Sequence, residues 1–220
     1  MAYIDFLQTV HTRTARNYVQ RVVEYDKAEC AEISRRFDKD YWDGDRKYGY
    51  GGYNYDGRWV AVAERLAAHY GLRPGARILD VGCAKGFLLH DLLKAVPGVS
   101  VAGLDISAYA LDHALEDVRS RVVRGTAAHL PFADKSFDLV ISINTLHNLR
   151  VTELDSALRE IERVGRGAKY IVVDTFRNER EKVNLMYWQL TCQCFYTPED
   201  WQWWFDRTGY SGDHSFVSFE

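Results

Sequence analysis

The sequence predicts an α/β protein: a doubly wound, mostly parallel sheet with helices on both faces, capped by an N-terminal helical and loop segment. Three observations predict it. Between residues 76 and 176, short apolar runs alternate with stretches whose apolar positions recur at helical spacing. The runs are apolar throughout rather than alternating, as strands covered on both faces require. The first run ends in a glycine-punctuated turn, ILDVGCAKGF (78–87), that leads directly into a helical pattern. Strands alternating with helices imply right-handed βαβ units and hence a parallel sheet.

The elements follow in order. Residues 1–40 carry pieces of amphipathic helix around Val19, Val22, Val23, Ile33 and Phe37. YWDGDRKYGYGGYNYDGRW (41–59) is too rich in glycine for helix or regular strand and reads as a loop. From Arg58 to Tyr70, Trp59, Val62, Ala63, Leu66 and Tyr70 share one helical face, and Gly71, Pro74 and Gly75 then break the chain. Strands are expected at 76–81, 99–106, 121–125, 137–144 and 168–176. Helices are expected at 85–96, at 107–118 with Ser107 as N-cap, and at 152–164. Beyond 176, NEREKVNLMYWQL reads as helical. TPEDWQWWFDRTG reads as a helix with Thr197 as N-cap, Pro198 at its first position and acids in its first turn. SFVSFE alternates like an edge strand. The economical organisation is one domain in two parts: a cap and Tyr/Gly-rich lid over 1–56 and a core over 57–220.

Composition narrows the function. At 220 residues the chain is long enough for a sizeable core, and 47% hydrophobic with 27% charged residues is a soluble, globular balance. A net charge of −3 gives no electrostatic reason to expect nucleic acid or an anionic membrane surface as partner. No apolar run approaches the ~20 residues of a membrane helix, and the N-terminus lacks the apolar stretch of a secretory signal. Cys30, Cys83, Cys192 and Cys194 match no zinc spacing, and no metal-ligand cluster of acids is evident. The expectation is a reduced, cytoplasmic protein, with Cys192 and Cys194 as small core residues.

The chemistry centres on the glycine turn. In open parallel sheets, ligands sit beyond the C-terminal ends of the strands where the strand order reverses, usually at the first βα turn. Gly82 permits a tight bend and close ligand approach, and Gly86 lets the helix start near the strand. A dinucleotide fingerprint would need glycines at 82, 84 and 87; the chain has Gly82, Ala84 and Phe87. The second strand ends in Gly103-Leu104-Asp105, and an acid there accepts both hydroxyls of a ribose. Asp80, just before the turn, puts negative charge where a dinucleotide would place phosphate, and suits a cationic ligand end. A ribose, an ammonium tail and no phosphate describe S-adenosyl-L-methionine.

Here the sequence resembles the class I S-adenosylmethionine-dependent methyltransferases over roughly residues 57–176. ILDVGCAKG is similar to their first motif and GLDIS to their second; RGTAAHLPFADKSFDLVISINTLHNL is similar to the third and fourth, in order and spacing. The resemblance implies a Rossmann-like sheet of six to seven strands with the last antiparallel. It implies a donor site at Asp80, Gly82, Cys83, Ala84, Gly86 and Asp105, and S-adenosyl-L-homocysteine as product. Leu104 and Ile106 would face the adenine, and Thr126 or the Ala127 N–H would meet its amino group. Two positions depart from the family pattern: Ala84, where glycine is frequent, and Thr126, where an acid is frequent. The fourth strand runs into Asn144, which would contact the donor, and His147, a candidate general base.

In the lid segment, Tyr53 and Tyr55 are candidate contacts for the sulfonium, and Arg58 for the methionine carboxylate. Packing of the same tyrosines on the sheet edge is the competing reading. Tyr187, Trp188, Phe195, Trp201, Trp203 and Trp204 serve core packing, a homodimer face or an acceptor pocket. The partner expected is a small-molecule acceptor methylated on O or N, such as a sugar or natural-product intermediate. Two competing functions remain at this level: a nicotinamide-dependent reductase on the same sheet, and a non-catalytic S-adenosylmethionine-binding subunit.

Overall fold

The computed structural model describes residues 1–11 and 16–220. Six strands, β1 (Arg77–Val81), β2 (Ser100–Asp105), β3 (Val122–Arg124), β4 (Phe137–Ile143), β5 (Gly165–Asp174) and β6 (Asp213–Val217), form one sheet in the order β3-β2-β1-β4-β5-β6. Every neighbouring pair is parallel. The order reverses between β1 and β4, so a crevice opens beyond their C-terminal ends. The helices are α1 (Gln8–His11), α2 (Tyr18–Val23), α3 (Lys27–Ser34), α4 (Lys39–Asp43), α5 (Val60–His69), α6 (Phe87–Ala95), α7 (Ala108–Asp112), α8 (Glu116–Arg119), α9 (Val151–Val164), α10 (Glu179–Trp188) and α11 (Pro198–Thr208).

Alternate residues of each central strand feed opposite faces, which is why these strands are apolar throughout. Ile78, Leu139, Ile141, Tyr170 and Val172 pack with Val62, Leu66, Leu89 and Leu92 of α5 and α6. Leu79, Val81, Val140, Ile171 and Val173 pack with Leu154, Leu158 and Ile161 of α9 and with Trp201 and Phe205 of α11. Thr197 and Asp200 form the capping box that starts α11, with Pro198 in its first turn.

Two departures from the sequence expectations have clear causes. The resemblance implies an antiparallel last strand, but β6 runs parallel to β5. The link between them carries α10 and α11, and a helical crossover brings the chain back to the starting end of the sheet. The open side of β6 is covered by the N-terminus: Ile4 N–H donates to the His214 carbonyl (2.9 Å), and His214 N–H donates to the Ala2 carbonyl (3.0 Å). The helix expected over 107–118 divides into α7 and α8. Leu115 is extended (φ −58°, ψ 144°), and its N–H donates to the Lys85 carbonyl (3.2 Å). Cys192 and Cys194 lie in irregular backbone rather than a strand, as buried free thiols.

Candidate functional site

The turn after β1 is folded back on β2 by its own backbone. Gly82 and Cys83 both donate to the Leu104 carbonyl (2.7 and 3.1 Å), and Gly86 donates to that of Cys83 (2.8 Å). Gly82 has φ +87°, and a Cβ there would lie 1.9 Å from Thr145 Oγ1, so conformation and space both require glycine. Gly86 caps α6 in the left-handed conformation (φ +74°). Ala84 shares that conformation at φ +50°, which a side-chain-bearing residue adopts only against strain. The departure noted at Ala84 thus falls on a position that glycine would suit.

Beside this turn lies a cavity of about 330 Å³, the size of a small-molecule site. Asp80, Gly82, Cys83, Ala84, Asp105, Ile106, Thr126, Ala127, Asn144 and Tyr53 all line it. Asp105 is buried, and its two oxygens accept from Ala84 N–H and Ser107 N–H (2.8 Å each). Burial pushes its pKa up, against those backbone donors. With Ile106 N–H as a third backbone donor, the carboxylate still has accepting capacity left for the cavity. Burial and then the charge of Asp105 raise Asp80 to about 7, with no hydrogen bond offsetting them. Ile106 is 54% exposed at the mouth, an apolar face with nothing over it. Thr126 Oγ1 accepts from Ala128 N–H at 3.3 Å.

Asn144 is also left-handed (φ +54°), and its Oδ1 is buried without a partner, as is Oδ1 of Asn148 on the following 3-10 turn (Leu146–Asn148). Both asparagines also line a second cavity of about 350 Å³. Two lone-pair-rich carboxylates, an uncovered apolar wall and orphaned amide oxygens fit a nucleoside with a cationic tail; a pyrophosphate would meet like charge at Asp80.

Residues of the 41–59 segment, among them Trp42, Tyr50 and Tyr53, form one wall of this cleft. Trp42 of α4 stacks on Tyr50 (5.4 Å, 3°), and its Nε1–H donates to Ser107 Oγ (2.9 Å). Tyr53 stacks on Phe87 (4.8 Å, 20°), at the place a fingerprint glycine would occupy. Lys85, from the glycine turn, reaches Asp43 at 2.7 and 2.8 Å, and Tyr109 O–H donates to the same carboxylate. Tyr55 points elsewhere, donating to Asp91 on α6 (2.6 Å). Lys85, Asp43 and Trp42 went unnoticed in the sequence because nothing local marks a pair 42 residues apart.

His147 and Arg58 lie outside the first cavity and line the second. His147 is buried; its Nδ1 accepts from Asp174 N–H (3.0 Å), which leaves the proton on Nε2, 3.3 Å from Asp174 Oδ2. Burial pushes its pKa down, against the charge of Asp174. The one nitrogen that could take a proton is therefore already engaged. Arg58 pairs with Asp56 at 2.8 Å. Of the late aromatics, Trp201 and Trp204 are core, Trp188 lines the second cavity, and Trp203 is 54% exposed.

Comparison with known proteins agrees with the geometry. Residues 79–173 match the methyltransferase domain family. The chain is 33% identical to the demethylmenaquinone methyltransferase of Roseiflexus sp. over 137 residues, 60% of this chain and 56% of that one. It is 35% identical to a sterol 24-C-methyltransferase of Gibberella zeae over 117 residues, 49% of this chain and 30% of that one. The chain thus spans little more than half of the first relative and less than a third of the second. The crystal structure of YcgJ from Bacillus subtilis shares the fold, with TM-score 0.57 and 22% identity over 70% of this chain and 68% of that one. The motifs in register and the sheet order agree with that match: residues 79–173 carry the signature of a methyltransferase domain, on a Rossmann-like sheet.

Proposed function

We propose that the chain transfers a methyl group from S-adenosylmethionine to an oxygen or nitrogen of a small-molecule acceptor, with a sugar or natural-product intermediate as the class to test first. The observation that carries the donor half is Asp105 and Asp80 on one cleft, the first with accepting capacity left over from its backbone donors and the second with no hydrogen bond offsetting its burial. When bound, the donor supplies a methyl group activated by a sulfonium whose leaving group is a neutral thioether. The residues of this chain then have three tasks: hold, align and exclude water. Asp105 holds the ribose and Asp80 the ammonium. Ile106 and Leu104 face the adenine, with Thr126 and the Ala127 N–H at its edge.

Trp42, Tyr50 and Tyr53 close the cleft over the reacting end, and the cap of residues 1–56 acts as part of the site. Asn144 and Asn148, shared by both cavities, orient the acceptor by accepting its N–H or O–H hydrogens. His147 serves by holding the end of β5 through Asp174. The two relatives are named for different acceptors, a demethylmenaquinone and a sterol, so the acceptor is sought in the second cavity rather than in their names.

Calorimetry on the full chain tests the reading. S-adenosylhomocysteine is expected to bind with one site per chain, and NADH to give no heat of binding. Binding of NADH, or silence with S-adenosylhomocysteine, would overturn it in favour of a nicotinamide enzyme or of another ligand altogether.

A further inference from the structure

The second cavity is lined mainly by cations, whereas the first mixes three carboxylates with two arginines. Arg16, Arg21, Arg46 and Arg58 all line it. Three of them, Arg16, Arg21 and Arg46, gather over the Trp188 ring, at 5.9, 4.9 and 5.5 Å from its centroid. They come from two parts of the cap, α2 with its approach and the loop after α4, so they converge only in the folded chain. Of these four, Arg58 has an ion pair, to Asp56 within its own loop, and Arg46 donates one N–H to the Gly49 carbonyl. The buried Nε atoms of Arg16 and Arg21 have no hydrogen-bond partner. Burial and then the neighbouring Arg46 pull the pKa of Arg21 down, and burial and then Arg21 pull the nearby Lys27 down to about 8. The carboxylate on the cavity wall, Asp174, is occupied by His147 and by Gln189 Nε2.

Neighbouring guanidinium groups without an ion pair, two of them partly buried, oppose folding unless something else meets them. Aromatic faces offset part of that cost. A planar fork of donors left open is also the geometry that binds carboxylate and phosphate. We propose that the second cavity holds an anionic group, carboxylate or phosphate, of the methyl acceptor, through Arg16, Arg21 and Arg46. This rests on the methyltransferase reading only for the word acceptor; the anion site stands on the arginines alone. The acceptor is then an acidic small molecule that spans from the arginines to Asn144 and Asn148, whose unpartnered amide oxygens would accept a hydrogen bond from the O–H or N–H to be methylated.

The test uses the 15N-labelled full chain, titrated with inorganic phosphate and separately with malonate at constant ionic strength, chloride being the balancing anion. The Nε–Hε resonance of Arg21, identified by its loss in Arg21→Gln, is expected to move saturably in the millimolar range with at least one anion, as a single fragment contact of about 4 kcal/mol implies. Arg46→Gln, at an exposed residue, should weaken that response at least fivefold. Saturation by phosphate alone marks a phosphorylated acceptor, and by malonate alone a carboxylated one. An Arg21 signal that moves with neither anion, or that responds unchanged in Arg46→Gln, overturns the proposal. S-adenosylhomocysteine is titrated into the same samples. Its failure to bind while Arg21 answers to phosphate removes the donor reading and keeps the anion site. The reverse pattern does the opposite.

Discussion

The two cavities that meet at Asn144 and Asn148 are built on opposite plans. The first takes most of its chemistry from strand ends and tight turns: Asp80 and Gly82 after β1, Asp105 and Ile106 after β2, Thr126 after β3, Asn144 after β4. Its buried charged groups are the carboxylates Asp80 and Asp105, with Arg35, Arg150 and Glu153 on the outer wall. The second takes its chemistry from α2 and its approach, the loop beyond α4, and the chain after α10, and most of its charged groups are arginines. The difference teaches how one fold can keep a cationic donor fixed while its acceptor varies. The part that meets the donor is locked into the hydrogen-bonded frame of the sheet. The part proposed to meet the acceptor hangs on segments the sheet does not constrain.

The comparison breaks most sharply at Asp105. Asp105→Ala removes two charge-assisted contacts worth about 1.5–3 kcal/mol each, so S-adenosylhomocysteine affinity should fall about 10²–10⁴-fold by calorimetry. The Arg21 response to phosphate should persist if the cavities are as separate as their construction suggests. A melting curve on the same variant checks that the turn held by Ala84 N–H and Ser107 N–H survives.

Asp80 sharpens the contrast through pH. Its carboxyl must ionise to meet an ammonium, and burial with Asp105 holds it at about 7. Donor affinity should therefore weaken as pH falls below about 7, by up to about tenfold per unit, and Asp80→Asn should flatten that dependence. Stability moves the other way. The folded pKa lies above the ordinary 3.8, so the ligand-free protein loses stability as pH rises from 3.8 to about 7, and the loss is complete above it. Asp80→Asn should accordingly melt higher than the parent at pH 8 and lose that advantage near pH 4.

The smallest effect tests the backbone itself. Ala84→Gly relieves a left-handed alanine at φ +50°, worth about 1–2 kcal/mol, and returns part of that through a more flexible unfolded chain. A net gain below about 1 kcal/mol raises Tm by about 1–3 °C in a chain of this size. A lower Tm would mean that the alanine methyl packs usefully in the turn.

The amino-acid sequence alone determined the sheet and the donor half, because strand burial, helix spacing, the N-caps at Ser107 and Thr197 and the glycine turn are local patterns. Gly82, Asp80 and Asp105 are legible because a strand end fixes where its next residue points. Tertiary structure alone decided the direction of β6, which depends on the whole α10–α11 crossover. It also decided the fate of His147, whose proton-accepting nitrogen is taken by an N–H 27 residues away. The Lys85–Asp43 ion pair and the arginines around Trp188 are juxtapositions of segments far apart in the chain. Spacing along a chain encodes which residues share a face of one helix or strand; it holds no record of which loop lands on which, since packing of the entire core fixes that.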